Sequence, residues 1–375
     1  MAKENPVVAS VTEAVEAEDE PSFVGDEPAY LTAFRQVVKG RKKAAVFTHP
    51  APDPDAMGAM MAVRWLLAKH CNIETDLFFG GEISHPQNNT MVNLLDPGLK
   101  PVADYTPGEH DLHILVDTVP SYAATGEHKV EFDVVIDHHA ETNGFKALYI
   151  NLKAGSAAST VYHLIDQLGY SFDRTIDNDA RVATAIIVGV YTDTENMLSE
   201  DSTNYEQEAF GGTLEARDVE SLKAIVHYKR PKLWVKWEAE ATIKLANADQ
   251  AYLDDGVAIV GLGVIPEKHR DVIADLAQKL VTWEDIHTGV VFAIVGNDTI
   301  QGSVRSNNAS LIVPDVCKKL GGKYGSGGGK RGKGAYTYSL AGGGIDEGED
   351  ESTREETWRL FQKKEAQRIK RILAK

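Results

Sequence analysis

Asp133-Val134-Val135-Ile136-Asp137-His138-His139 is the stretch on which the fold turns: a continuously apolar run that ends in an acid and two imidazoles. A strand buried on both faces reads this way, because a parallel sheet covered on both sides leaves no polar alternation. Its last residues then stand on one rim of the sheet. The pattern recurs along the chain. His113-Ile114-Leu115-Val116 runs into Asp117-Thr118, and Ala44-Ala45-Val46-Phe47 runs into Thr48-His49-Pro50-Ala51-Pro52-Asp53-Pro54-Asp55-Ala56-Met57-Gly58. Further on, the apolar helical segment 183–190 leads to Tyr191-Thr192-Asp193-Thr194. Four or more carboxylates gathered with two or three imidazoles need a compensating positive charge, and divalent metal is the simplest source.

Between these motifs the periodicity alternates strand and helix. Strands are expected at 44–47, 73–79, 112–117 and 133–137, with helices at 29–38, 57–70, 88–95, 156–168 and 177–191. That is an α/β fold, a parallel sheet with helices on both faces. Residues 205–247 read as helical without a strong strand and carry Trp234 and Trp237, a natural bridge between lobes. A second, smaller α/β unit follows: strands at 257–264, 288–295, 300–305 and 335–340, helices at 270–280 and 311–320, and the glycine-rich segment 321–329. Residues 1–27 are acidic and without apolar periodicity, which predicts disorder. After 344 come an acidic linker and a helix. Ser352 and Glu355 form its capping-box pattern, and Trp358, Phe361, Ile369 and Ile372 its apolar stripe. Such a stripe packs on its own protein or on a second copy, which leaves a homodimer open.

Charge narrows the partners. The 375 residues carry a net charge of −17. Residues 1–28 hold eight acids and one lysine, and 345–375 hold eight of each sign, so the body keeps an acidic excess. A field of that sign repels duplex DNA unless a basic patch offsets it. One patch exists: Arg305, Lys318, Lys319, Lys323, Lys330, Arg331 and Lys333. It suits a small phosphorylated substrate gripped locally. Cys71 and Cys317 are too few for a disulfide framework or a cysteine zinc site. The N-terminus lacks a secretory pattern, and no apolar run nears the roughly 18 residues of a membrane span. The expectation is a soluble cytoplasmic protein with no membrane partner.

In the first motif the prolines fix φ and favour an extended loop, in which Asp53 and Asp55 project to the same side. Asp117 alone is a weak signal. The adjacent His138 and His139 point in different directions, so one can ligate metal while the other faces substrate.

The order His-x-x-x-Asp-x-Asp, Asp, Asp-His-His and Asp-Thr resembles the DHH phosphoesterase superfamily. The second unit is similar to that family's DHHA1 domain, through Ser303-Val304-Arg305-Ser306-Asn307-Asn308 and Gly327-Gly328-Gly329-Lys330. The resemblance implies a DHH catalytic domain at 28–204, a helical linker at 205–247 and a DHHA1 substrate-binding domain at 248–343, with 344–375 beyond it. It implies two divalent ions, manganese foremost, with magnesium or cobalt admissible. His49, Asp53 and Asp117 would hold one ion, and Asp55, Asp117, His138 and Asp193 the other. His139 would face the scissile phosphate, with Asp137 orienting a neighbouring group. The chemistry would follow the two-metal template, in which ions about 3.5–4 Å apart generate hydroxide near neutral pH. Arg305, Ser306, Asn308, Gly327, Gly328, Gly329 and Lys330 would bind substrate, the glycine backbone forming an anion cradle. Lys330 stands where family members commonly have histidine. The implied substrates are short single-stranded oligoribonucleotides or 3′-phosphoadenosine 5′-phosphate. A cyclic dinucleotide, pyrophosphate or polyphosphate is the enzymatic alternative, and an inactive nucleotide-binding scaffold the non-enzymatic one.

Overall fold

The computed structural model describes residues 28–139, 146–247, 252–296, 298–340 and 351–374. The acidic tail 1–27, the linker 344–350 and the side chains of the expected capping box lie outside the described residues. The chain divides into two compact units, 1–229 and 230–375. The division falls inside the 205–247 stretch expected as a linker.

The first unit is built on six parallel strands in the order β3-β2-β1-β4-β5-β6. They are β1 (Lys43–Phe47), β2 (Glu74–Phe79), β3 (Leu99–Pro101), β4 (Leu112–Val116), β5 (Val134–Ile136) and β6 (Leu148–Ile150). The strand order reverses between β1 and β4, and in such sheets that is where the carboxyl ends open a crevice. Register ranks the strand ends: Phe47 pairs Leu115, Val116 pairs Ile136, and Ile136 pairs Ile150. His49, Asp117, Asp137 and Asn151 therefore stand at one level on the carboxyl rim.

Around the sheet run α1 (Ala29–Val38), α2 (Pro54–Cys71), α3 (Pro86–Leu95), α4 (Ala157–Gln167), α5 (Asp177–Asp193), α6 (Asn204–Thr213) and α7 (Val219–Val226). One expectation is corrected here. Residues of α1 to α5 pack with Val46, Ile114, Val116 and Ile136 on one face. On the other face, Phe47, Phe78, Tyr105 and Leu115 form a cluster to which no α-helix among the described residues contributes. Phe47 stacks on Phe78 at 5.4 Å and meets Tyr105 edge-on at 5.1 Å, contacts worth about 0.5–1.5 kcal/mol each beyond area burial. The reason is topological. Right-handed crossovers that run outward from β1 and from β4 place their connections on opposite faces. The β4–β5 connection carries only a short 3-10 turn, Pro120–Tyr122, so loops and aromatic rings close that side.

The second correction concerns the first motif. Residues 53–55 are not an extended loop; α2 begins at Pro54, with Asp53 as its N-cap. Proline at the first helical position costs nothing, since the N–H it lacks has no intrahelical partner, and its φ is already helical. Asp53 Oδ1 accepts from the backbone N–H groups of Asp55 and Ala56 at 3.0 and 3.1 Å.

The second unit is a mixed sheet, β11-β12-β10-β9-β8-β7, in which only β8 and β9 pair in parallel. Its strands are β7 (Tyr252–Asp254), β8 (Val257–Ile265), β9 (Thr288–Val295), β10 (Thr299–Ser306), β11 (Gly325–Lys330) and β12 (Lys333–Ser339). Helices α8 (Lys232–Ala246) and α9 (Val272–Leu280) cover one face, packing on Ala258, Val260, Val291 and Ala293. Helices α10 (Val313–Gly321) and α11 (Glu351–Leu373) cover the other, packing on Phe292, Ile300, Val304 and Tyr336. The stripe of Trp358, Phe361, Ile369 and Ile372 belongs to that second core.

The third correction is the glycine segment, which is a strand and not a cradle loop. Gly327 pairs Tyr336, and Gly328 pairs Ala335. A Cβ at Gly327 would lie 2.0 Å from the Cys317 carbonyl oxygen of α10. Glycine there lets the helix rest directly on the hairpin. Gly328 has nothing within 4 Å of its Cβ position, so no packing demand explains it.

Candidate metal centre

Apolar strands deliver the site residues and helix ends complete it. His49 follows β1, Asp117 follows β4, and Asp137, His138 and His139 follow β5. Asp53 and Asp55 open α2, and Asp193 is the last residue of α5, which runs two residues past the end expected at 191. Asp117 takes φ of 55°, a left-handed conformation that residues other than glycine adopt at a cost, aspartate more readily than most. Its N–H bonds to the Ile136 carbonyl at 2.9 Å, which fixes the turn.

The side chains converge. His49 Nε2 lies 3.4 Å from Asp117 Oδ2. His138 Nε2 lies 3.3 Å from Asp117 Oδ1, 3.3 Å from Asp193 Oδ2 and 3.8 Å from Asp55 Oδ2. Three groups have ligand atoms all within 4.8 Å of one another: His49, Asp53 and Asp117; Asp55, His138 and Asp193; and Asp117, His138 and His139. The first two groups divide the six expected ligands between them. The third admits His139 as an additional donor.

Electrostatics show what this crowd lacks. Burial raises the carboxyl pKa of Asp53 and Asp55, and the Asp117 charge adds to it; Asp55 is pushed well above the ordinary range. Burial also acts on Asp117, but the adjoining His138 and His49 imidazoles outweigh it and hold that carboxyl well below its usual value. Burial disfavours both imidazolium ions. The adjoining Asp117 and the neighbouring carboxylates overcome it and push His49 and His138 up to about 9. Protons are thus drawn to a place where negative charge is in excess. Asp117 Oδ1 is buried and, with His138 Nε2 at 3.3 Å not aligned to donate to it, has no hydrogen-bond donor. A buried acceptor without a partner is costly, and a cation among these oxygens and imidazoles would supply one. The donor set of oxygen and imidazole without sulfur fits manganese, magnesium or cobalt.

Asp137 is wholly buried. Its Oδ1 accepts from the His138 N–H at 2.9 Å and binds His139 Nδ1 at 2.8 Å. His139 is thereby oriented while its side chain stays 40% exposed.

Two supports were missed from sequence. Asn151 Nδ2 donates to the His139 carbonyl at 2.7 Å; its signal was the end of another apolar strand, too short to notice. The N-terminus of α4, capped by Ser156, also holds Asp55: Ala157 N–H donates to Oδ2 at 2.7 Å and Ala158 N–H to Oδ1 at 2.9 Å. Nothing in a run of small residues announces that role.

In the second unit, Arg305, Lys333 and Lys330 stand directly opposite one another across β10, β12 and β11. The rows beyond are Ser303, Ala335 and Gly328, then Gln301, Thr337 and Ser326, so this face is polar past the reach of α9. Arg305 Nη1 donates to Ser303 Oγ at 2.8 Å. Ser306 is buried, its hydroxyl 2.7 Å from that of Thr288, and so supports the strand end. Asn308 is exposed and caps a turn through Ser310 N–H.

Residues 43–190 match the family model described as the DHH family, N-terminal domain. An uncharacterized protein of Methanocaldococcus jannaschii is 28% identical over 285 residues, 76% of this chain and 55% of its own length. The chain thus spans little more than half of that relative. An uncharacterized protein of Mycoplasma genitalium is 26% identical over 308 residues, 77% of this chain and 86% of its own. Among solved structures, an exopolyphosphatase-related protein from Bacteroides fragilis aligns with a TM-score of 0.58 and 14% identity, covering 91% of this chain and 98% of that one. That last likeness is one of fold. No helix among the described residues is long and apolar enough to cross a membrane.

Proposed function

We propose that the chain is a two-metal phosphoesterase acting on small phosphorylated nucleotides or short oligonucleotides, a reading supported by the match of residues 43–190 to the DHH family model. The observation that carries the reading is the convergence of His49, Asp53, Asp55, Asp117, His138 and Asp193, with an unsatisfied carboxylate oxygen at their centre. His49 and Asp53 would hold one ion and Asp55, His138 and Asp193 the other, with Asp117 between them. Such a pair supplies Lewis acidity toward a phosphoryl group and lowers the pKa of water to near neutrality. His139, whose Nδ1 is engaged by Asp137, keeps Nε2 available to hold or release a proton at the phosphoryl or leaving oxygen. Manganese is the ion we favour.

Recognition of the anionic end of the substrate is assigned to the second unit. Like charges directly opposite across strands repel, so the row of Arg305, Lys333 and Lys330 favours a ligand group with more than one negative charge. That same row supports a second reading, hydrolysis of pyrophosphate or polyphosphate.

The test is manganese-dependent turnover of a panel: short oligoribonucleotides, 3′-phosphoadenosine 5′-phosphate, a cyclic dinucleotide, pyrophosphate and polyphosphate. Turnover of the first two is expected, with kcat lowered at least about 100-fold in Asp193→Ala, because losing a ligand exceeds the about 10- to 100-fold lost with a ligand's outer partner. Turnover confined to the last two moves the assignment to the second reading. No turnover, with tight metal-independent nucleotide binding, replaces enzyme by scaffold.

A further inference from the structure

Glu206 lies outside the ligand cluster, on the first turn of α6, and is completely buried. No lysine, arginine or histidine among the described residues pairs with it. Its oxygens are satisfied by neutral donors. Oε2 accepts from Thr203 N–H at 2.7 Å and Thr203 Oγ1 at 2.8 Å, which is the capping box of α6. A cap needs nothing more. Yet Oε1 reaches across to a different element, accepting from Gly155 N–H at 2.9 Å and from Ser159 Oγ.

Those two donors frame the start of α4, the very turn whose Ala157 and Ala158 amides grip Asp55. Gly155 also touches the segment after Asp193: a Cβ there would stand 2.9 Å from Thr194 Cγ2 and 3.2 Å from Glu206 Cδ. Thr194 is buried and anchors three successive left-handed residues, Glu195, Asn196 and Met197, with φ of 49°, 64° and 65°. Its Oγ1 accepts from Met197 N–H at 3.0 Å. Backbone of that kind persists only where its surroundings over-determine it. One buried carboxylate therefore braces the start of α4, which grips Asp55 and through Gly155 lies against the turn after Asp193, while none of its hydrogen bonds goes to His49 or Asp53.

We infer that Glu206 is a positioning residue for the cation group Asp55, His138 and Asp193, acting through α4 and the turn after α5. The inference rests on the two-metal reading. Replacing an outer partner of a metal ligand lowers affinity about 10- to 100-fold, and here the loss falls on one ion of the two.

The test uses the full chain, stripped of metal and titrated with manganese by calorimetry and electron paramagnetic resonance. In Glu206→Gln, whose amide sets a donor against existing donors, one binding step weakens about 10- to 100-fold and the other is retained. The spectrum changes from a coupled pair to an isolated ion. Thr203→Ala, which removes the cap and leaves Oε1 undisturbed, lowers thermal stability and keeps both steps. If Glu206→Gln does not fold, Ser159→Ala decides by the same selective weakening. Two unchanged steps in the readable variant, or equal weakening of both, overturn the inference while leaving the metal pair standing. A wild-type chain that binds no pair removes the two-metal reading and this inference with it.

Discussion

Gly189→Ala sets two opposed effects against each other at the site. Position 189 is in the interior of α5, where alanine favours helix over glycine by about 1 kcal/mol. The added methyl, however, would stand 3.0 Å from Asp55 Cα, 3.1 Å from Asp55 Oδ1 and 3.1 Å from Ala158 Cβ. Ordinary contact begins near 3.4 Å, so α2, α4 and α5 must part by a few tenths of an ångström. Overpacking of that order costs about 1–3 kcal/mol. Net stability should then fall by about 0–2 kcal/mol, a modest change. The larger effect is on metal. Asp55 is displaced relative to the α4 amides that hold both its oxygens, and manganese affinity drops about 10- to 100-fold. Guanidinium unfolding of the metal-free protein measures the first quantity and calorimetric titration the second. A variant about 1 kcal/mol more stable than wild type, with unchanged manganese affinity, would refute the reasoning. It would mean that the three-helix junction has room and that Asp55 is not held by close approach.

Metal binding should expel protons. His49 and His138, pushed up to about 9, are charged at pH 7.5 in the metal-free protein but must be neutral to ligate, so the two imidazoles release about two protons, besides any held by Asp55. Because these folded pKa values exceed the unfolded value of about 6.5, their contribution to metal-free stability is full below pH 6.5 and is lost as pH rises through 9. Calorimetry in buffers of different ionisation enthalpy counts the protons, and heats independent of buffer would contradict the assignment. In the hairpin, Gly327→Ala drives a methyl onto a backbone carbonyl and should cost at least about 2 kcal/mol. Gly328→Ala meets open space and should stay within about 0.5 kcal/mol, while raising KM for any substrate bound on that face. Equal destabilisation by the two would discard the packing argument.

What was legible in the sequence follows from which forces leave a local trace. Long buried strands such as β1 and β4 announce themselves because continuous apolar runs have few other uses, and the motif residues at their ends could be named at once. The edge strands β3 and β6, of three residues each, leave no such run, and Asn151 was lost with β6. The Pro50-Ala51-Pro52-Asp53-Pro54 stretch misled because proline opposes helix everywhere except at its first turn, where it belongs. The glycine segment misled for a related reason. Glycine frees a loop, but it also lets a helix approach a strand, and only the partner Cys317 distinguishes the two. Glu206 was invisible because its importance comes from Gly155 and Ser159, some fifty residues away.

These misses share a direction. Apolar residues determine strand register, and they do so without regard to the charges at the strand ends. The rank of His49, Asp117, Asp137 and Asn151 is therefore set by pairs such as Phe47 with Leu115 and Val116 with Ile136. A centre built this way is assembled before any ion arrives, unlike small metal domains in which binding supplies the folding energy. The excess negative charge is then a cost carried by the metal-free fold, offset by protons on two imidazoles and by amides at the start of α4. Sequence records the apolar part of that arrangement directly. The polar part is recorded only where a ligand happens to end a strand.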